Sequence, residues 1–133
     1  MISLDAPGVA ALLDAPNHAA ISTHNPDGSI HTALVWQEVV DGKISVNTAI
    51  GRHWPTNLEA DSRVTLLVAA ADNPYDYVEI RGRAVGTTLG ADAQIDRLAK
   101  KYLGAQTYPF REPTEQRISY VITAERVRHQ KQG

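Results

Sequence analysis

Cysteine is absent from the 133 residues, which excludes disulfides, thiolate nucleophiles and cysteine-based metal sites. Long apolar runs are absent as well, and none approaches the roughly 20 residues that cross a bilayer. Nor is there an excess of charge of one sign. Thirteen basic and 15 acidic side chains leave a net charge of −2, which provides no general field for nucleic acid or an anionic membrane. An anionic ligand therefore has to be held by a local cluster. The chain has no G-x-S-x-G elbow, no G-x-x-x-x-G-K-[ST] loop and no dinucleotide G-x-G-x-x-G, so hydrolase triads and P-loop chemistry have no support. Its histidines, His18, His24, His31, His53 and His129, show no ligand spacing such as H-x-x-x-H, and no metal site is expected.

What is present is ordinary globular composition, 43% hydrophobic and 21% charged, at a length that suits one domain with one modest core. The first residues, MISLDAPGVAALLDAP, lack a basic region ahead of their apolar stretch and do not read as a secretory signal. A cytoplasmic location is the expectation.

Asp5-Ala6-Pro7 reads as a helix start with Asp5 able to cap, and Val9 to Leu13 supply a short helix that ends before Pro16. His18 to His24 then leads into Asn25-Pro26-Asp27-Gly28, whose proline and glycine suit a tight turn. Ile30 to Val40 forms the returning strand. Asp41-Gly42 signals a second hairpin into Lys43 to Thr48, so a three-stranded meander is expected. Pro55 suits a first helical position, with Thr56 to Ala60 completing a short helix. Arg63 to Ala70 is apolar enough for a strand buried on both faces. Tyr75 to Thr88 holds one long strand or two, with Gly82 and Gly86 marking bulges or bends. Asp92 to Leu103 carries Ile95, Leu98, Tyr102 and Leu103 at helical spacing, with Lys100 and Lys101 on its solvent side. Ile118 to Thr123 is a last strand, and Arg126 to Gly133 a polar, basic tail. Six or seven strands with two short helices and one longer one suggest a closed or nearly closed antiparallel barrel.

The stretch NTAIGRHWPTN, Asn47 to Asn57, carries the chemistry. A strand ends, Gly51 releases the backbone, Arg52 presents a guanidinium, and a helix begins. Helix starts leave amide N–H groups unpaired and favour anions. Trp54, at the apparent cap, has no oxygen to satisfy those amides. A phosphate would suit them; water or the Thr56 hydroxyl would also serve, and local chemistry does not choose. Asn57 is placed either to orient a ligand oxygen or to bond the loop backbone. Arg81 and Arg83 share one strand face and read as exposed, paired with Glu79 or with acids on a partner, although such a pair could also receive the carboxylates of a ligand.

Val35-Trp36, then Asn47-Thr48, then GRHWPTNLEADSRVTLLV, then NPYDYVEIRGRA resembles the flavin and deazaflavin oxidoreductases related to pyridoxamine 5′-phosphate oxidase. More narrowly, the pattern is similar to the actinobacterial branch that uses coenzyme F-420. The resemblance runs from about Val9 to Arg128. It implies a mainly β split barrel, six to seven antiparallel strands with two or three helices, forming a homodimer with cofactor sites lined by both subunits. Gly51, Arg52, His53 and Trp54 would grip the cofactor's phosphate, with Asn57 behind. Asn47 ends the strand that leads to Thr48, Ala49 and Ile50, which would run along the ring and ribityl chain. Val35, Trp36 and Gln37 would lie near the ring, and Tyr75 and Tyr77 would close the pocket. The implied activity is hydride transfer from reduced coenzyme F-420 to a small conjugated acceptor, with no nucleophile required. An FMN-binding oxidoreductase or electron carrier is the alternative, and a non-enzymatic binding module a third. The chain departs from the family pattern at Trp54 and Thr56, where many members carry basic residues.

Overall fold

The structure, a computed structural model, describes residues 3–132. Met1, Ile2 and the end of the expected tail, Gly133, lie outside the described residues. In chain order the elements are α1 (Pro7–Asp14), β1 (Ala19–His24), β2 (Ile30–Val35), β3 (Gln37–Val40), β4 (Lys43–Ala49), α2 (His53–Ala60), β5 (Arg63–Ala70), β6 (Asn73–Thr87), α3 (Ala91–Leu103) and β7 (Arg117–Lys131). All strands belong to one antiparallel sheet in the order β2-β1-β5-β6-β7-β4-β3. This is the split barrel that the strand pattern and the resemblance together imply.

The expected meander does not form. The run from Ile30 to Val40 is two strands: Val35 pairs with Ala19 of β1, whereas Gln37 pairs with Val46 of β4. β2 and β3 are thus the opposite edges of the sheet, yet only Trp36 separates them. A chain that passes from one edge to the other across one residue obliges the sheet to curl until those edges meet. No proline or glycine marks the switch.

Inward residues of every strand then converge on one core. Ile21, Ile44, Val46, Leu66, Val68, Val78, Ile80 and Ile122 are fully buried. α1 closes one part of it with Val9, Leu12 and Leu13, and α2 contributes Trp54 and Leu58. β5 alternates and is not buried on both faces: Arg63 and Leu67 are exposed while Val64, Leu66 and Val68 are buried, since only one side of the curled sheet has a core behind it. β6 is a single strand. Its register shifts between Arg81 and Gly82, where a Cβ on Gly82 would stand 2.1 Å from the Thr123 carbonyl oxygen, so glycine is required. Gly86 causes no bulge; it gives room to the Tyr120 ring.

Three further expectations are corrected. The basic tail is part of β7, which pairs with β6 as far as Lys131; backbone pairing outweighs its polar composition. Ala6, not Asp5, caps α1, with Pro7 in the first turn. Lys101 is half-buried rather than solvated, its Nζ donating to the Leu13 carbonyl at 2.6 Å and the Gln37 carbonyl at 2.8 Å. Burial lowers its pKa from the ordinary lysine value. Lys101 therefore ties α3 to the end of α1 and the start of β3.

Candidate functional site

β4, β7, α2 and α3 enclose a cavity of about 250 Å³ beside the seam at Trp36. Its lining brings together six of the residues expected from sequence: Val35, Trp36, Asn47, Thr48, Arg52 and Trp54. Leu34, Ile95, Tyr108, Phe110 and Arg117 complete it, and the last three did not stand out in the sequence. Arg117 is the first residue of β7, paired with Ala49 across the sheet. That pairing spans almost 70 residues of chain, so no local motif announces it.

Arg117 is the chemical centre. Its side chain is only 3% exposed, yet it carries a permanent charge. Its Nε donates to Asn47 Oδ1 at 2.9 Å, its Nη1 to Glu115 Oε1 at 3.1 Å, and its guanidinium lies 5.1 Å from the Tyr108 ring centre. Asn47 is in turn fixed by donating to the Ala91 carbonyl and to Gln94 Oε1, both at 2.9 Å. Its amide is thus fully engaged within the protein and serves to aim Arg117. Thr48, 1% exposed, has a hydroxyl oxygen with no partner among the described residues. A buried polar atom without a partner is costly and calls for one.

The wall is aromatic. Trp36 stacks on Tyr102, with centroids 5.3 Å apart and planes at 6°, and meets Tyr108 edge-on at 6.1 Å. Tyr108 and Phe110 belong to the segment between α3 and β7, which three contacts hold in place. Arg111 bridges Asp92 at 3.0 Å and Asp96 at 2.8 Å, and the Tyr108 N–H donates to Asp96 Oδ1 at 2.8 Å. Burial raises the Tyr102 pKa, and its hydroxyl donates to the Asn17 carbonyl at 2.7 Å.

α2 begins earlier than expected. Arg52 is its N-cap and Pro55 its third residue, so Trp54 is buried within the helix rather than standing at its cap. Pro55 is tolerated there because first-turn N–H groups have no intrahelical partner. No side chain caps the helix, and the Thr56 hydroxyl donates to the Arg52 carbonyl instead of serving the amides. Gly51, at φ 98°, makes the turn that brings Arg52 to the cavity. Arg52 is 53% exposed.

The other expected residues stand elsewhere. Gln37 is fully buried beneath α1, donating to the Leu13 carbonyl at 3.0 Å. Ala49 is buried at the β4–β7 pair, and Ile50 is exposed. His53 faces away, stacked on His31 at 4.1 Å and bonded to Asn25 Oδ1 at 2.7 Å. Asn57 is buried and bonds Thr23 and Asn25, holding α2 to β1. Tyr75 and Tyr77 lie at the opposite end of β6 from the cavity, and Tyr77 pairs with Gln130. Tyr120 points into the core and hydrogen-bonds Glu59 Oε1 at 2.5 Å; burial, then that bond and charge, push its pKa well above the usual tyrosine range. Arg81 sits 3.5 Å from Glu79 and Arg83 3.7 Å from Glu125, as exposed strand pairs.

A larger cavity, about 600 Å³, lies between α1 and β3, but its one cation, Lys101, is engaged by two carbonyls. Among the described residues no group of three or more His, Asp or Glu side chains is arranged to hold a metal, and no helix is long and apolar enough to cross a membrane.

A flat aromatic wall, a buried arginine and a hydroxyl without a partner among the described residues thus meet on a split barrel. The chain belongs to the pyridoxamine 5′-phosphate oxidase family, whose model matches residues 6–131. Among solved structures it is similar to an F420 reductase, at 25% identity and a TM-score of 0.78, over 89% of this chain and 94% of that one. A conserved hypothetical protein from Mycobacterium tuberculosis aligns at 22% identity and a TM-score of 0.75, over 98% and 86%. General Stress Protein 26 from Bacillus anthracis aligns at 17% and 0.70, over 92% and 91%. The last two share the fold. No curated protein matches the sequence.

The residues present fit a flavin-type group. Trp36, Tyr108 and Phe110 would flank its ring, Thr48 would bond its polar edge or side chain, and Arg117 with Arg52 would face its phosphate.

Proposed function

We propose that the chain is a deazaflavin-dependent reductase that uses coenzyme F-420 to reduce a small, conjugated, electron-poor acceptor. The observation that carries this reading is Arg117, buried beside the unpartnered Thr48 hydroxyl and under the Tyr108 ring. The similarity to an F420 reductase supports deazaflavin over FMN as the ring. Such a cofactor supplies the hydride when bound. The protein's part is to orient: Asn47 aims Arg117, the Asp96–Arg111 contacts hold Tyr108 and Phe110 as a wall, and those rings exclude water from one face. FMN would use the same lining and is the competing ligand.

The reading includes a homodimer in the cytoplasm. A cavity of about 250 Å³ is smaller than the roughly 300–1,000 Å³ typical of small-molecule sites, which supports a site completed by a second copy. A second copy would supply the rest, and its Tyr75 and Tyr77 are candidates for that role. Absorbance titrations with coenzyme F-420 and with FMN, alongside sedimentation, test the proposal. Tighter binding of F-420 by a dimer is expected. No binding of either, or binding unchanged in Arg117→Ala, would overturn the site.

A further inference from the structure

Two guanidinium groups line the cavity, Arg52 and Arg117, but their charge is not left whole. Glu115 stands behind them, outside the lining. Its Oε1 accepts from Arg117 Nη1 at 3.1 Å, and its Oε2 lies 3.6 Å from Arg52 Nη2. At 9% exposure its carboxylate is little screened by water. No neighbouring group adds a positive charge. Arg111 is outnumbered by Asp92 and Asp96, Glu59 is a carboxylate bonded to Tyr120, and His53 turns to Asn25 and His31. β4 offers the cavity only the neutral Asn47 and Thr48. Two cations and one carboxylate leave the cluster with one positive charge.

We infer that Glu115 is a specificity-determining residue that adjusts the cavity to a singly charged anion, so that it accepts a phosphodiester in preference to a phosphomonoester. The inference rests on the reading of this cavity as a flavin or deazaflavin site. A phosphomonoester carries close to two charges at neutral pH. Against a cluster of one positive charge the second of these is uncompensated, in a site where water screens poorly. A phosphodiester carries one charge and matches. Trp54 and Thr56 carry no charge, and the cavity lining holds no cation beyond the two arginines.

The test compares three ligands on whichever ring the protein holds, flavin or deazaflavin: the ring with its uncharged ribityl chain, its 5′-phosphate, and the methyl ester of that phosphate. Affinities are measured for the wild type and for Glu115→Gln, Glu115→Asp and Arg117→Ala. The wild type is expected to bind the methyl ester more tightly than the phosphate. Glu115→Gln should shift that ratio toward the phosphate by roughly tenfold, and Glu115→Asp, which keeps the charge, should preserve it. Normalising to the uncharged ligand removes any effect of a merely disturbed pocket. A wild-type preference for the phosphate would overturn the inference. So would an unchanged ratio in Glu115→Gln; if Arg117→Ala still weakens both anions, only the role of Glu115 falls. If neither ring binds, or Arg117→Ala has no effect, the reading of the cavity falls and this inference with it.

Discussion

The two faces of β4 are both buried, by opposite means. Ile44, Val46 and Thr48 point into the barrel core, two of them wholly apolar. Ser45 and Asn47, one residue out of phase, lie beneath α3 in a web of hydrogen bonds. Gln94 donates to Ser45 Oγ at 2.7 Å and to Glu38 Oε2 at 3.1 Å, and Ser119 donates to Gln94 Oε1 at 2.5 Å. The apolar face gains stability from area and shape. The polar face gains little net stability, because each of its groups gave up water to bond protein. What it supplies is direction: the network ends on Arg117 and fixes where that guanidinium points. Thr48 lies at the end of the apolar face, where core gives way to cavity, and its hydroxyl has no partner among the described residues.

If the faces are separate in this way, damage to each should show in a different measurement. The largest effect is expected from Ile44→Ala, a stability loss of about 2–5 kcal/mol by denaturant unfolding, with ligand affinity unchanged in the folded fraction. An equal loss of affinity would show that the faces are not separable. Arg117→Ala should weaken coenzyme F-420 or FMN roughly 10- to 100-fold, read by absorbance titration. Asn47→Ala removes the acceptor for Arg117 Nε and a donor to Gln94. It should cost about 1–3 kcal/mol in stability and several-fold in affinity; a stability loss alone would mean that Arg117 needs no guide. The smallest effect belongs to Arg52→Ala, roughly two- to fivefold in affinity, since that side chain is half in water. A larger effect than Arg117→Ala would reverse the order of the two arginines.

That order could not be read from the chain. Arg52 sits in a loop whose glycine, proline and uncapped helix start are local signals, and the sequence points to it directly. Arg117 follows Glu-Pro-Thr-Glu-Gln and opens a strand whose partner is far away in sequence, so its burial depends on the pairing with Ala49. The hairpin turn at Asn25 to Gly28, the amphipathic α3 and the strand at Arg63 were all legible, because periodicity and turn chemistry are local. The split of Ile30 to Val40 was not, because the break comes from a change of partner and leaves the backbone composition unaltered. The same limit applies to the aromatic wall, which depends on Asp96 and Arg111 folding Tyr108 back over α3.

The break at Trp36 has a mechanical meaning. Most cylinders of strands are sealed by a ladder of hydrogen bonds between first and last strand; here β2 and β3 form the two rims, and the backbone itself joins them. Consecutive Cα atoms lie about 3.8 Å apart, so the rims are tethered within a couple of residue lengths however the rest of the sheet fluctuates. Val35 is the last residue laddered to β1 and Gln37 the first laddered to β4. A single cut after Trp36 would therefore release the tether without removing one ladder bond. The residue at that tether is also a wall of the cavity, so the tightness of the seam and the width of that cavity are one variable.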